Sequence, residues 1–242
     1  MGFTGKTAVV IGGGTGIGAS IAQALAGAGV RVMIADADAD MAEAVAQGIG
    51  GLWAQVNPAS NSDLGAVAYK AADALGDIDI LVNAAPVQVL HKPLVQVTEA
   101  EFDALLLAQT KPLYLAARHF APAMQARRSG VILNLIGPAK SQSVWADAAR
   151  GWAMAATKSM ALDLGPHGIR VNALSVLADT TPALPSFLGG AKNDDRARRL
   201  AAIPLGRYAL PDDLAQAALF LCSEPASLIT GTVLDIDGGA GL

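Results

Sequence analysis

The feature that most constrains this chain lies near its start, in Val9-Val10-Ile11-Gly12-Gly13-Gly14-Thr15-Gly16-Ile17-Gly18. A short apolar run enters a glycine-rich turn, and Ala19 to Ala26 follows with helical spacing. Gly12, Gly16 and Gly18 suit a turn that sets a helix N-terminus beneath a dinucleotide pyrophosphate. Glycine permits a positive φ and a close backbone approach, and the free N–H groups and helix dipole attract the anion. A glycine triplet alone is weak; its place between a strand and a helix is what gives it meaning.

The second strand, Arg31 to Ala35, is followed by Asp36, about 20 residues beyond the turn, where a carboxylate can accept hydrogen bonds from adenosine ribose hydroxyls. That carboxylate repels a 2′-phosphate. Neither Thr15 nor Ala37 brings a compensating positive charge, so NAD(H) is favoured over NADP(H). The alternative for Asp36 is an ordinary helix cap.

Further along, strands are expected at Leu52–Val56, Ile78–Asn83, Val131–Ile136, Arg170–Leu174 and Thr232–Ile236. Helices are expected at Ser60–Leu75, Asp147–Leu164 and Pro211–Leu221, with a long one from Glu99 to Arg127 interrupted or bent at Pro112 and Pro122. Pro185–Ala202 reads as short helices over a ligand cleft. This alternation predicts an α/β fold: a single Rossmann-like, doubly wound parallel sheet with helices on both faces, formed as one domain over residues 1–242. A chain of 242 residues, 52% hydrophobic and 16% charged, can bury such a core.

The formal charge of −4, with no basic run, argues against nucleic acid or an anionic membrane as partner. The lone Cys222 cannot form an internal disulfide, and no apolar run reaches transmembrane length. The expectation is a cytoplasmic protein acting on a small-molecule substrate.

The anchors beyond the turn carry a resemblance. They are Asp79-Ile80-Leu81-Val82-Asn83-Ala84-Ala85, Gly130-Val131-Ile132-Leu133-Asn134 and Gly165-Pro166-His167-Gly168-Ile169-Arg170-Val171-Asn172-Ala173. Pro204-Leu205-Gly206-Arg207 and Ile229-Thr230-Gly231 to Asp237-Gly238-Gly239 complete the set. In this order, over essentially the whole chain, they resemble the short-chain dehydrogenase/reductase family. The resemblance implies hydride exchange between nicotinamide and an alcohol or carbonyl. It further implies a proton-transferring tyrosine, a lysine one helical turn later that lowers its pKa and holds the ribose, a serine on the carbonyl oxygen, and an asparagine in the relay. It also implies cofactor contacts from Gly12, Thr15, Gly16, Ile17, Gly18, Asp36, Gln55, Val56, Asn83 and Thr181, and a homotetramer or homodimer built on the helices from Glu99 and Asp147.

At the reactive positions the chain departs from that pattern. Counting back without a gap from Gly168-Ile169-Arg170-Val171-Asn172 puts the tyrosine position at Ala146 and the lysine position at Arg150. The serine position falls on Gly137 and the asparagine position on Gln109. A second register pairs Met154 with Lys158 and makes Ser141 the serine; it also lacks the tyrosine and needs a gap inside a helix. Alanine has no ionisable proton, and arginine stays protonated, so Arg150 is a weak catalytic candidate that can donate but not act as a base. Tyr69, Tyr114 and Tyr208 all fall elsewhere. Pro86 replaces the usual glycine near the nicotinamide ribose, and Val176-Leu177 replaces a proline–glycine pair.

The remaining polar residues read more simply. His91, His119 and His167 show no metal spacing, and no metal is expected. Lys140, Ser141, Ser143 and Asp147 read as a polar loop with Asp147 capping the next helix. Lys158 reads as a solvated or interface residue, and Trp145 and Trp152 as core or interface packing. Three readings stand: an atypical NAD(H)-binding oxidoreductase, a non-catalytic subunit paired with an active relative, and a non-redox enzyme in which Arg150 binds an anion.

Overall fold

The computed structural model describes residues 2–85, 92–138, 144–176 and 200–242. Seven parallel strands form one sheet: β1 (Thr7–Ile11), β2 (Arg31–Asp36), β3 (Leu52–Gln55), β4 (Ile80–Asn83), β5 (Gly130–Ile136), β6 (Ile169–Val176) and β7 (Val233–Ile236). Their order is β3-β2-β1-β4-β5-β6-β7, so the winding reverses between β1 and β4. Among the described residues the α-helices are α1 (Gly16–Gly27), α2 (Ala39–Ile49), α3 (Asn61–Leu75), α4 (Glu99–Arg127), α5 (Val144–Leu164) and α6 (Pro211–Cys222). The α/β doubly wound fold expected from the alternation is the fold found.

The period-2 geometry of the strands explains why helices cover both faces. Val9, Ile11 and Leu81 face one way, into a layer with Leu64 and Val67 of α3, Leu115 and Phe120 of α4, and Leu164 of α5. Their neighbours Ala8, Val10, Ile80 and Val82 face the other way, against Ile21 and Leu25 of α1, Ala42 of α2 and Ala218 of α6. All residues of β1 and β4 are buried, which is why they read as continuous apolar runs instead of alternating ones.

Three expectations change. Helix α4 is continuous from Glu99 to Arg127 with Pro112 and Pro122 inside it; the prolines do not interrupt it. A capping box between Thr98 and Glu101 starts it. Helix α5 begins at Val144, three residues earlier than expected, so Asp147 sits in its first turn. The carboxylate there still opposes the helix dipole favourably. Helix α2 adds to the expected elements, and its N-cap is Asp38 instead of Asp36: the Asp38 side chain accepts from the Met41 N–H. Among the described residues no helix is long and apolar enough to cross a membrane.

Candidate nucleotide site at the carboxyl ends of the strands

The turn after β1 is clamped from both sides. The Gly12 N–H donates to the Ala35 carbonyl of β2 at 2.7 Å, and the Ala84 N–H donates to the Ile11 carbonyl at 2.7 Å. Gly12 has φ +75°, and a Cβ there would stand 2.5 Å from the Ala84 oxygen. A Cβ on Gly18 would stand 2.0 Å from the Gly12 oxygen, so the start of α1 can approach the turn only as glycine. Gly16 opens α1 at φ +53°. Thr15 is the N-cap in extended conformation, and its side chain makes no capping bond. The first-turn N–H groups therefore have no side-chain acceptor from the cap, which suits an anionic ligand. Ile17 packs against the cluster of Ala209 and Leu214, fixing α1 against α6, and Ile236 of β7 packs on the same cluster.

Asp36 closes β2. Its Oδ2 accepts from the Gly14 N–H at 2.8 Å and its Oδ1 from the Asp38 N–H at 3.1 Å. Because Asp38 does the capping of α2, Asp36 is held as a side-chain acceptor beside the turn. Gln55, exposed at the end of β3, donates its Nε2 to the Ala37 carbonyl at 3.0 Å. Val56 is buried in the α3-side core, and its N–H donates to the Asp36 carbonyl at 2.8 Å. Its side chain thus supports the strand beneath Asp36 and is not presented to a ligand. These residues fit a nicotinamide dinucleotide's adenosine half: open N–H groups for phosphate, and a fixed carboxylate for ribose hydroxyls.

Beyond the reversal point the polar groups are bonded to each other. Asn83 donates Nδ2 to Asn134 Oδ1 at 2.8 Å, and Asn134 donates Nδ2 to Thr157 Oγ1 of α5 at 3.0 Å. All three are buried. Asn83 Oδ1 is also buried and has no partner among the described residues. Such an atom costs about 1–3 kcal/mol unless a water serves it. Thr157 went unremarked in the sequence. Its signal is there, as a lone polar residue between Ala153 and Ala161 on the apolar stripe of α5.

Arg150 is a centre of contacts. Its Nε donates to the Gly137 carbonyl at 3.2 Å, Nη1 to Met154 Sδ at 2.8 Å, and Nη2 to Asp235 Oδ1 of β7 at 2.9 Å and Ser175 Oγ of β6 at 3.5 Å. Ser175 Oγ donates in turn to the Gly137 carbonyl at 3.3 Å. The guanidinium therefore ties the ends of β5, β6 and β7 together. Ala146, one turn earlier, is 3% exposed. Gln109 and Leu113 of α4 meet Ala85, Gly137, Arg150 and Ala153 around a cavity of about 20 Å³, room for roughly one water. Lys158 is exposed on α5, so Arg150 is the α5 cation that reaches the strand ends.

Trp145 stacks edge-on against Phe102 of α4, ring centroids 5.4 Å apart, and Trp152 packs near Leu113 and Ile136. His119 contacts Asn61 Oδ1 at 3.0 Å, and His167 lies in the 3-10 turn after α5. The described residues contain no cluster of three or more candidate metal ligands. Pro86, His91, Lys140, Ser141, Ser143, Leu177, Thr181 and most of Pro185–Ala202 lie outside the described residues, as does the Val176 side chain.

Comparison with known proteins agrees with this geometry. Residues 12–241 match the family model described as enoyl-(acyl carrier protein) reductase. The chain is 34% identical over 189 residues to a 4-formylbenzenesulfonate dehydrogenase of Comamonas testosteroni, covering 75% of this chain and 74% of that one. It is 32% identical over 189 residues to a 3-oxoacyl-(acyl-carrier-protein) reductase of Thermotoga maritima, covering 76% and 74%. The structure of a 3-ketoacyl-(acyl-carrier-protein) reductase from Brucella melitensis complexed with NADH superposes with a TM-score of 0.90 at 34% identity, over 99% of this chain and 100% of that one. With the strand order, the clamped glycine turn and these matches together, the chain belongs to the short-chain dehydrogenase/reductase family.

Proposed function

We propose that this protein is an oxidoreductase of its family that binds NAD(H) in preference to NADP(H), with a non-standard hydride-transfer site. The observation that carries the reading is the Asp36 carboxylate, held at 2.8 Å by the Gly14 N–H beside the uncapped start of α1. Fixed there, it welcomes two ribose hydroxyls and repels a 2′-phosphate. The dehydrogenase and reductase relatives, and the NADH complex of the Brucella reductase, support the cofactor class. When bound, the nicotinamide supplies hydride exchange with an alcohol or carbonyl carbon. Gly137, Ala146 and Gln109 stand at the positions the resemblance assigns to serine, tyrosine and asparagine, and Arg150 at that of lysine. None of these four can deliver a proton near neutral pH.

Titration of NADH by fluorescence tests the reading. Saturable binding is expected below millimolar cofactor, with NADPH weaker. Asp36→Ala should weaken NADH by roughly 10- to 150-fold, the equivalent of about 1.5–3 kcal/mol for hydrogen bonds to a charged group. No binding at millimolar NADH overturns it.

The exposed apolar residues Leu106, Leu107 and Tyr114 of α4 and Leu162 of α5 support a second element of the reading. They favour self-association as a homodimer or homotetramer, or pairing with a related subunit in a non-catalytic role. Native mass spectrometry of the purified chain distinguishes these. The anion-binding role for Arg150 loses support, because Asp235 already neutralises it. The single, buried Cys222 is in keeping with a reducing, cytoplasmic setting, and residues 1–242 are taken as one domain.

A further inference from the structure

We infer that the protein carries a second ligand site, at the opposite end of the sheet from the nucleotide crevice, for a small organic anion whose carboxylate or phosphate head is held by Arg170. The site goes beyond the NAD(H) reading and does not depend on it. A cavity of about 350 Å³ lies against Ile80, Gly130 and Ile169, the first residues of β4, β5 and β6. Small-molecule pockets begin at roughly 300 Å³. Strand β5 runs seven residues from here toward the crevice, which sets the two sites about 20 Å apart.

Arg170, the second residue of β6, is half-buried on the wall of this cavity. Its Nη1 donates to the Leu221 carbonyl at 2.7 Å and the Ile229 carbonyl at 3.4 Å, and its Nη2 to the Ser223 carbonyl at 3.2 Å. These bonds use three of the five guanidinium N–H groups. The Nε–H and one Nη2–H have no partner among the described residues, and Nε is not sealed from solvent. Two unused donors on one planar group are the fork that matches a carboxylate or phosphate. The carbonyls position the group but bring no negative charge, and among the described residues no carboxylate forms an ion pair with it. Burial pushes its pKa below the ordinary arginine value, and Cys222 and Glu224 oppose that only in part. A cation drawn out of water without a counter-ion is costly, and a bound anion relieves that cost.

The acids on the wall do not fill that role. Asp79 is already held by Lys6 Nζ at 3.1 Å, Arg127 Nη1 at 3.5 Å and the Thr7 N–H at 3.1 Å, so two cations answer one carboxylate. Glu224 is exposed at the rim. The cavity holds many times the share of one liquid water, about 30 Å³, so a bare phosphate ion leaves most of it unfilled. Phe3, Val131 and Ile169 contribute apolar wall, which suits a compact, partly apolar body behind the anionic head.

Isothermal titration calorimetry of the intact protein with benzoate, phenyl phosphate and uncharged benzyl alcohol, run separately, tests this. At least one of the two acids is expected to bind at millimolar concentration or below, and benzyl alcohol is not; which acid binds identifies the head group. Arg170→Lys keeps the charge but loses the fork, and should weaken binding roughly tenfold or more, as for one lost hydrogen bond to a charged group. Ser129→Phe should do the same by placing a ring at the exposed wall while leaving the three carbonyl bonds of Arg170 in place. Circular dichroism reports whether each variant folds, and Ser129→Phe decides alone if Arg170→Lys does not. Binding of neither acid, benzyl alcohol binding as tightly as the acids, or acid binding that Ser129→Phe leaves unchanged overturns the inference. Failure of NADH to bind while an acid still does overturns the NAD(H) reading alone.

Discussion

At the scale of single residues, the turn after β1 is decided by atoms that are absent. Gly18 has an ordinary φ yet tolerates no Cβ, because the Gly12 carbonyl occupies that space at 2.0 Å. Gly18→Ala is therefore expected to push α1 away from the turn, destabilising the protein by about 1–3 kcal/mol and abolishing saturable NADH binding. Chemical denaturation alongside the fluorescence titration checks this, and unchanged values for both would refute it. Gly12, Gly16, Gly18 and Asp36 were all legible in the sequence because their roles are local and backbone-driven. The distinction between Asp36 and Asp38 was not. Both are acids near a helix start, and only the fold shows that Asp38 caps α2 while Asp36 accepts from Gly14. The environment of Arg150 was equally hidden, since Asp235 lies 85 residues away on a strand brought near by β6.

At the scale of elements, boundaries shifted where side chains or prolines misled. The prolines of α4 suggested a break, but tertiary packing on the α3 side holds the helix together through Leu115, Phe120 and Met124. Each proline removes one backbone hydrogen bond, and the buried apolar face outweighs it. Helix α6 shows how charge sets an element's start. Asp213 lies in its first turn, accepting from Arg207 through both carboxylate oxygens and from the Leu210 N–H at 2.7 Å. The Arg207 bond first, then the Leu210 N–H, hold its carboxyl at about 2, below the ordinary carboxylate range. A folded-state pKa below the unfolded one means stability that is present above about pH 4 and is lost as pH falls through about 2. The gain is reduced by solvent screening, because about a third of the side chain is exposed. Thermal melts from pH 7 to pH 2 should show Asp213→Asn less stable at pH 7, the gap closing as pH drops below 4. A gap that stays constant across that range would contradict the assignment.

At the scale of the whole molecule, two apolar layers sandwich the sheet and seal what lies inside them. Cys222 belongs to the α1–α2–α6 layer, and burial pushes its thiol up to about 12, with the Arg170 charge opposing only part of that rise. Alkylation at pH 8 should therefore be negligible in the native state and should track global unfolding measured by circular dichroism. Labelling of the native protein at the rate of a free thiol would show that the layer opens locally. The sequence by itself determined the strand–helix alternation, the glycine turn and the acid after β2, since each depends on neighbours a few residues away. Tertiary structure alone decided what the far half of the crevice became. Asn83 meets Asn134 and Thr157, and Arg150 meets Asp235, only because parallel strands distant in the chain lie side by side. The glycine turn is a local device that any such sequence announces; whether the neighbouring polar groups are available to a ligand or already satisfied by one another is settled by packing across the sheet.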